Sequence, residues 1–355
     1  MNYRTTKLLA ATDLGASGTK SIDINLDQPI SRIQLRWKIT KASVAMHSYP
    51  HKDITKIELV DGSDVLYAMD GGQAQALNIL DRKCLTMNHG QYIDANSQRS
   101  FYGIDFGRFL WDPMLALDPQ RFKNLQLKVT YNEAVSDTNA TVNDLEVIAE
   151  VFDEKQISPM GFLMSKVHHA YTIGAADSYE YIDLPTDFPY RKLLIQGYYK
   201  AKEPWYTIAE ARLNEDNEKR IPFDWDLEEY YQYRKGHDKP CGEVVVIQYG
   251  AYYLTATDYW ATLVTQGQAA GDQSGTGASG LGGYYLVAAG GSTQHQGIQN
   301  GWLPNHCFHF PFGDEQNIDD WYDVTKVAHL QIRLRAGDAG GTGVGSVILQ
   351  QLRRY

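Results

Sequence analysis

The chain alternates. Ile33, Leu35, Trp37 and Ile39 are interleaved with Gln34, Arg36 and Lys38, the period-2 pattern of a strand with one buried and one wet face. Leu125, Leu127 and Val129 alternate in the same way with Gln126, Lys128 and Thr130. Further strand-like runs cover 54–60, 65–69 and 142–152 in the first half. The second half adds 193–199, 208–213, 243–254, 284–288, 306–312, 330–334 and 344–349. Turn signals such as Asp61-Gly62 and Asp70-Gly71-Gly72 separate them. Few segments carry a helical period. Asp118 followed by Pro119 reads as an N-cap with a first-turn proline, which predicts a short helix ending near Asn124. Many short strands without βα alternation predict an all-β chain built of sandwiches.

Similar blocks recur in order. Residues 21–35 align without a gap on 181–195, with Ile22, Asp23, Asp27 and Pro29 identical to Ile182, Asp183, Asp187 and Pro189. Phe106-Gly107 and Leu125-Gln-Leu-Lys-Val129 return as Phe312-Gly313 and Leu330-Gln-Ile-Arg-Leu334, and Asp118 falls on Asp323. The repeat predicts two tandem copies of one β-domain. The boundaries expected are an arm over 1–19, a first domain over 20–155, a connector over 156–177 and a second domain over 178–355. The arm carries Arg4 and Lys7, and its apolar run from Leu8 to Ala11 is too short for a secretory core. The connector lacks clean periodicity. Residues 265–301 are rich in Gly, Gln, Ser and Thr and predict a long exposed insertion between strands.

Composition narrows the function. A length of 355 residues exceeds the usual single core, and 43% apolar with 21% charged residues excludes a disordered chain. A net charge of −10 argues against a chain-wide grip on nucleic acid. Cys84, Cys241 and Cys307 show neither metal spacing nor a disulfide framework, which fits a reducing compartment. No apolar run reaches the ~20 residues of a membrane span.

The search for chemistry assigns no catalytic, cofactor-binding or metal-binding residue. Ser274 and Ser279 lack the spacing of a nucleophile elbow. On a strand, adjacent His168 and His169 point to opposite faces, as do His306 and His309 around Cys307. Acidic pairs occur at Asp224/Asp226, Glu228/Glu229 and Asp319/Asp320. On a strand Asp224 and Asp226 share one face, which acid–base work on glycans could use; on an acidic chain, surface carboxylates with no such role are the commoner reading. Basic residues cluster at Lys123/Lys128, Arg333/Arg335 and Arg353/Arg354.

The run Phe109-Leu-Trp-Asp-Pro113, then Leu117-Asp-Pro119, then Phe122 to Tyr131 resembles the region before the penultimate strands in double jelly-roll major capsid proteins. Val65 to Leu80 is similar to the strand and helix that precede it. That family builds the shells of tailless icosahedral viruses, including membrane-containing bacteriophages. The resemblance implies two eight-stranded jelly rolls, a homotrimeric pseudo-hexagonal capsomer, and a place in the virion after synthesis in the host cytoplasm. Its implied partners are further copies of the chain, neighbouring capsomers, minor capsid and penton proteins, and an internal membrane touched by the N-terminal arm. It implies no enzyme activity, no cofactor and no sequence-specific nucleic acid. The insertion over 265–301 would suit a tower. Trp111, Trp205, Trp225, Trp260, Trp302 and Trp321 would either anchor neighbours or plug the ends of their own rolls. The alternative is a two-domain jelly-roll enzyme acting on glycans through Asp224, Asp226 or Glu228, or a carbohydrate-binding module with stacking Trp and Tyr.

Overall fold

The computed structural model describes residues 1–41, 50–83, 88, 90–92, 97–135, 140–199, 202–255, 261–267, 273–276, 283–338 and 343–355. Two series of elements follow each other. The first runs β1 (Tyr3–Asp13), β2 (Ser17–Asp23), β3 (Ile30–Lys41), β4 (Ile54–Asp61), β5 (Asp64–Met69), α1 (Gly71–Arg82), β6 (Gly90–Tyr92), β7 (Ser97–Asp105), β8 (Leu125–Asn132) and β9 (Ala140–Phe152). The second opens with β10 (Gly161–Thr172), β11 (Tyr179–Leu184), β12 (Tyr190–Tyr198), α2 (Pro204–Thr207), β13 (Ile208–Glu215), β14 (Arg220–Asp226) and α3 (Leu227–Lys235). It continues with β15 (Cys241–Thr255), β16 (Ala261–Gly267), β17 (Gln273–Thr276) and β18 (Gly283–Trp302), and closes with β19 (Cys307–Pro311), β20 (Leu330–Ala336) and β21 (Val344–Arg354).

Each series makes one eight-stranded sandwich. In the first, the sheet β1-β9-β3-β7 packs on β2-β8-β4-β5; in the second, β10-β21-β12-β19 packs on β11-β20-β13-β14. The pattern of apolar positions drives this. β8 and β20 both bury every second residue, and Ile33, Leu35, Trp37 and Ile39 of β3 are fully buried. Two cores result. Trp37, Leu127 and Leu145 belong to one, and Leu193, Leu213 and Ile332 to the other. The sandwiches join edge to edge. β10 pairs in parallel with β5 at Ser165–Tyr67 and Lys166–Ala68, which fuses one sheet of each into a continuous eight-stranded sheet.

Three expectations are corrected. Residues 3–13 of the expected arm are a strand: β1 pairs β9 from Tyr3–Phe152 to Asp13–Asp144. Leu8 and Leu9 lean on the core, and Tyr3 stacks on Trp111 at 4.3 Å. Most of the expected connector is β10, a central strand of the large sheet. Its period is hidden by a register shift between Val167 and His169, which turns the later side chains over. The described part of the expected loop 265–301 is largely strand. β18 runs for 20 residues and pairs β15 from Cys241–Gly301 to Thr255–Tyr284. With β16, β17 and β6 it forms a separate sheet. Glycine is a poor strand former, and here backbone pairing with a long partner overrides that preference.

The helix expected after Asp118 is a single 3-10 turn, Pro119–Arg121, with Asp118 accepting the Gln120 N–H at 3.2 Å. It stops there because Asp61 binds the Lys123 and Asn124 N–H groups at 3.1 and 2.6 Å and starts β8. Asp323 caps the equivalent turn Val324–Lys326.

Candidate functional site: the seam between the sandwiches

A dense cluster of buried polar side chains lies where the two sandwiches meet. Asp81, at the end of α1, pairs with Arg191 at 2.7 Å and Lys192 at 2.6 Å, both on β12. Lys192 also pairs with Glu315. Gln350 of β21 donates to Asp81 at 3.0 Å and accepts from Arg191 at 2.7 Å. Arg191 and Lys192 are 1% and 0% exposed. Burial pushes the Asp81 carboxyl up, but the two cations outweigh it and hold it well below the ordinary carboxylate range. Sequence reading missed this cluster, because Arg191 and Lys192 look like the polar edge of an amphipathic strand. Nearby, Gln73 donates to Gln196 at 2.9 Å and Lys52 donates to Tyr198 Oη at 3.2 Å. At the far end Arg353 pairs with Asp64. These contacts fix one sandwich against the other; removing one member of a buried pair leaves the other charge uncompensated.

Above the β5–β10 pairing lies an open cleft of about 1180 Å³, with His51, Lys52, Lys56, Lys166 and Asp70 among its walls. Lys56 is paired with Glu58 at 2.8 Å. Asp70 caps α1 by accepting the Gln73 N–H at 2.7 Å, and Gln73 returns the bond to the Asp70 N–H at 3.0 Å, a capping box. Burial raises Asp70 to about 6.

The residues singled out from the sequence are mostly structural. Asp226 caps α3, accepting the N–H groups of Glu228 and Glu229 at 3.0 and 3.1 Å, while Asp224 faces Arg212 at 3.7 Å. The two do not form an acid–base pair. His306 and His309 diverge: the His306 ring meets Gly197 O at 3.3 Å, and His309 meets Asp238 at 2.8 Å. Burial raises the Cys307 thiol well above its usual value. His168 bonds Asp183 O at 2.8 Å and His169 lies 3.6 Å from Glu180. Among the described residues no group of three or more His, Cys, Asp or Glu is arranged to hold a metal. Ser274 lies on β17. Cys84, Ser279 and Trp260 lie outside the described residues. Lys128 and Arg333 are on the wet faces of β8 and β20, and Asp319 and Asp320 are exposed in a turn. Trp205 stacks on Tyr231 at 4.6 Å and Trp225 on Tyr233 at 5.6 Å within the second sandwich, while Trp321 is buried in a cluster with Leu115 of the first series and with Leu163 and Leu352.

Within each sandwich the first, eighth, third and sixth strands make one sheet, and the second, seventh, fourth and fifth make the other. No family model matches the sequence, and no curated protein matches it. Solved structures do match over nearly the whole chain. The major capsid protein of Sulfolobus Turreted Icosahedral Virus is 10% identical, with 99% of this chain and 96% of that one covered at a TM-score of 0.61. The major capsid protein P2 of bacteriophage PM2 is 10% identical, covering 99% and 98% at 0.55. PBCV-1 VP54 is 10% identical, covering 99% and 93% at 0.57. The chain has the double jelly-roll fold. In this double jelly roll the seam is the roll-to-roll junction, and the sheet of β15–β18 with β6 is an addition to the second roll. Tyr179 and Tyr181 of β11, Ile221 of β14 and Tyr233 of α3 are large apolar side chains that the second roll leaves exposed. Among the described residues no helix is long and apolar enough to cross a membrane.

Proposed function

We propose that this chain is a major capsid protein, a structural subunit whose copies assemble into trimeric, pseudo-hexagonal capsomers of an icosahedral virion shell. The observation that carries the reading is the pair of like rolls locked side by side through one shared sheet, an architecture shared end to end with major capsid proteins. Function follows from the rigid edge-to-edge placement rather than from a reacting group. Two similar rolls in one chain give six similar units in a trimer. Its proposed partners are further copies of itself, neighbouring capsomers, and minor capsid and penton proteins. Membrane contact through an N-terminal arm loses its basis, since residues 3–13 are committed to a sheet. The glycan-acting alternative loses its acid pair, because Asp226 is engaged as a helix cap and Asp224 with Arg212.

Light scattering coupled to size exclusion tests the reading. A species near three times 40.0 kDa, or larger shells by electron microscopy, supports it. A monomer at every concentration tried overturns it.

A further inference from the structure

The fold hides Lys192 completely. Its side chain is 0% exposed, on an interior strand of the large sheet, and no other described lysine is buried. Its Nζ reaches two carboxylates from distant parts of the chain: Asp81 at the end of α1, 2.6 Å away, and Glu315 in the turn after β19. The Lys192 Nζ and the Glu315 Oε1 are both closed to water, and neither makes a hydrogen bond. They touch without the alignment that strengthens a charge-assisted bond. An amine pressed on a carboxyl group in this way is also the starting arrangement for an amide.

The two carboxylates differ. Asp81 also accepts from Arg191 at 2.7 Å and from Gln350 at 3.0 Å, which keeps it ionised when the Lys192 proton leaves. An ionised carboxylate is a base and a poor electrophile. The Glu315 carboxyl pairs with Lys192 alone among the described residues. Moving the Lys192 proton onto Glu315 leaves an amine beside a carboxylic acid, a neutral pair that a site without water tolerates better than charge.

The first roll lacks both partners. Arg32 aligns with Lys192 and pairs with Asp105, and Phe109 stands where Glu315 follows the second Phe-Gly pair. Ion pairing alone is served by a guanidinium, as it is there. The second roll places an amine, the cation that can lose its proton and act as a nucleophile.

We propose that Lys192 and Glu315 join in an intramolecular amide bond, with Asp81 as the base. The amine lone pair attacks Glu315 Cδ. The C–N bond forms as the carbonyl π pair moves onto oxygen, and Asp81 takes a proton from the nitrogen. The Glu315 hydroxyl then leaves with that proton as water, the carbonyl re-forms, and Asp81 is a carboxylate again. An ammonium and a carboxylate become one amide and one water, with no oxidant and no cofactor. Contact within the fold replaces a bimolecular encounter, and a closed site opposes the return of water. Glu315 is 16% exposed, which gives the released water its exit. The bond ties β12 to the turn after β19 and closes residues 192–315 into one loop that holds the whole β15–β18 sheet. It lies within one chain and needs no assembly.

Intact mass spectrometry of the full chain, denatured after incubation at neutral pH, tests this. The wild type should weigh one water less than its sequence, and digestion should yield a peptide with Lys192 joined to Glu315. Lys192→Arg and Glu315→Ala should keep the full mass. Asp81→Asn should slow bond formation about a hundredfold or more. If the Asp81 or Glu315 variant fails to fold, Lys192→Arg, which keeps the charge, and the wild-type spectrum carry the test. A wild type that stays at full mass is an ion pair only and overturns the proposal. A bond from Lys192 to Asp81, or an Asp81→Asn chain that closes at the wild-type rate, overturns the assignment of electrophile and base.

Discussion

Gln126 donates its side-chain amide to Asp23 at 2.7 Å, tying β8 to β2. Gln331 donates to Asp183 at 2.8 Å between β20 and β11 in the same way. The duplication thus reaches single hydrogen bonds, and the backbone follows. The Phe106 N–H binds Ser31 O at 3.2 Å where Phe312 binds Arg191 O at 3.0 Å; Phe152 binds Pro29 O at 3.0 Å where Leu352 binds Pro189 O at 2.9 Å. Two rolls alike to this level present nearly the same edges.

The repeated Phe-Gly pair has a steric cause. A Cβ on Gly107 would lie 2.7 Å from Leu115 O, and one on Gly313 would lie 2.3 Å from Asp320 O, where Gly313 also has φ +67°. Gly313→Ala therefore meets both a backbone clash and a left-handed conformation. It should destabilise the second roll by about 1–3 kcal/mol, measured by chemical denaturation. An unchanged midpoint would mean the loop yields freely.

The ionic cluster at the seam makes a larger prediction. Asp81→Asn leaves the buried Arg191 without its carboxylate and Lys192 with Glu315 alone. It should lower stability by about 3–5 kcal/mol, with the loss reduced when Lys192→Met is added. The measurement is a double-mutant denaturation series. Additive losses would show that the pair is not energetically linked.

Much of the fold was legible because strands with one buried face announce themselves. β3 and β8 were readable from alternation alone, and Ile22/Ile182 with Asp23/Asp183 revealed the repeat. What was hidden has physical causes. β1 and β10 each contain a bulge that reverses the alternation midway. β18 is glycine-rich, so its pairing depends on β15 rather than on its own preference. The seam cluster was invisible because Asp81 and Arg191 are 110 residues apart in sequence. The acidic pairs drew attention as chemistry, yet a carboxylate before a helix is most economically an N-cap, and Asp226 is one.

Acid should act in two opposite windows. Burial raises Asp70 to about 6 in the fold, above its ordinary 3.8. A raised carboxyl favours the fold once protonated, so this group adds stability as pH falls from about 6 toward 4. Asp70→Asn keeps a capping oxygen and should abolish that gain, seen as a flat stability–pH curve between 6 and 4. A slope that persists in the variant assigns the effect to another group.

Below that window the sign reverses. Burial raises the Asp238 carboxyl, but His309 and Arg234, bonded to it at 2.8 and 2.7 Å, outweigh burial and lower it to about 2 from 3.8. A depressed carboxyl stabilises the fold above its unfolded value, and that contribution is lost as pH falls from about 4 to about 2. Asp81, held low by Arg191 and Lys192, acts in the same direction. Asp238→Asn should therefore be less stable than wild type at pH 7 and converge on it near pH 2, because protonation has by then removed the same charge from the wild type. The two elements tied by this carboxylate are the end of α3 and β19, which lies at the edge of the large sheet. Thermal melts of both chains across pH 2–7 read the difference directly, and parallel curves would show that Asp238 does not titrate in the unfolding transition.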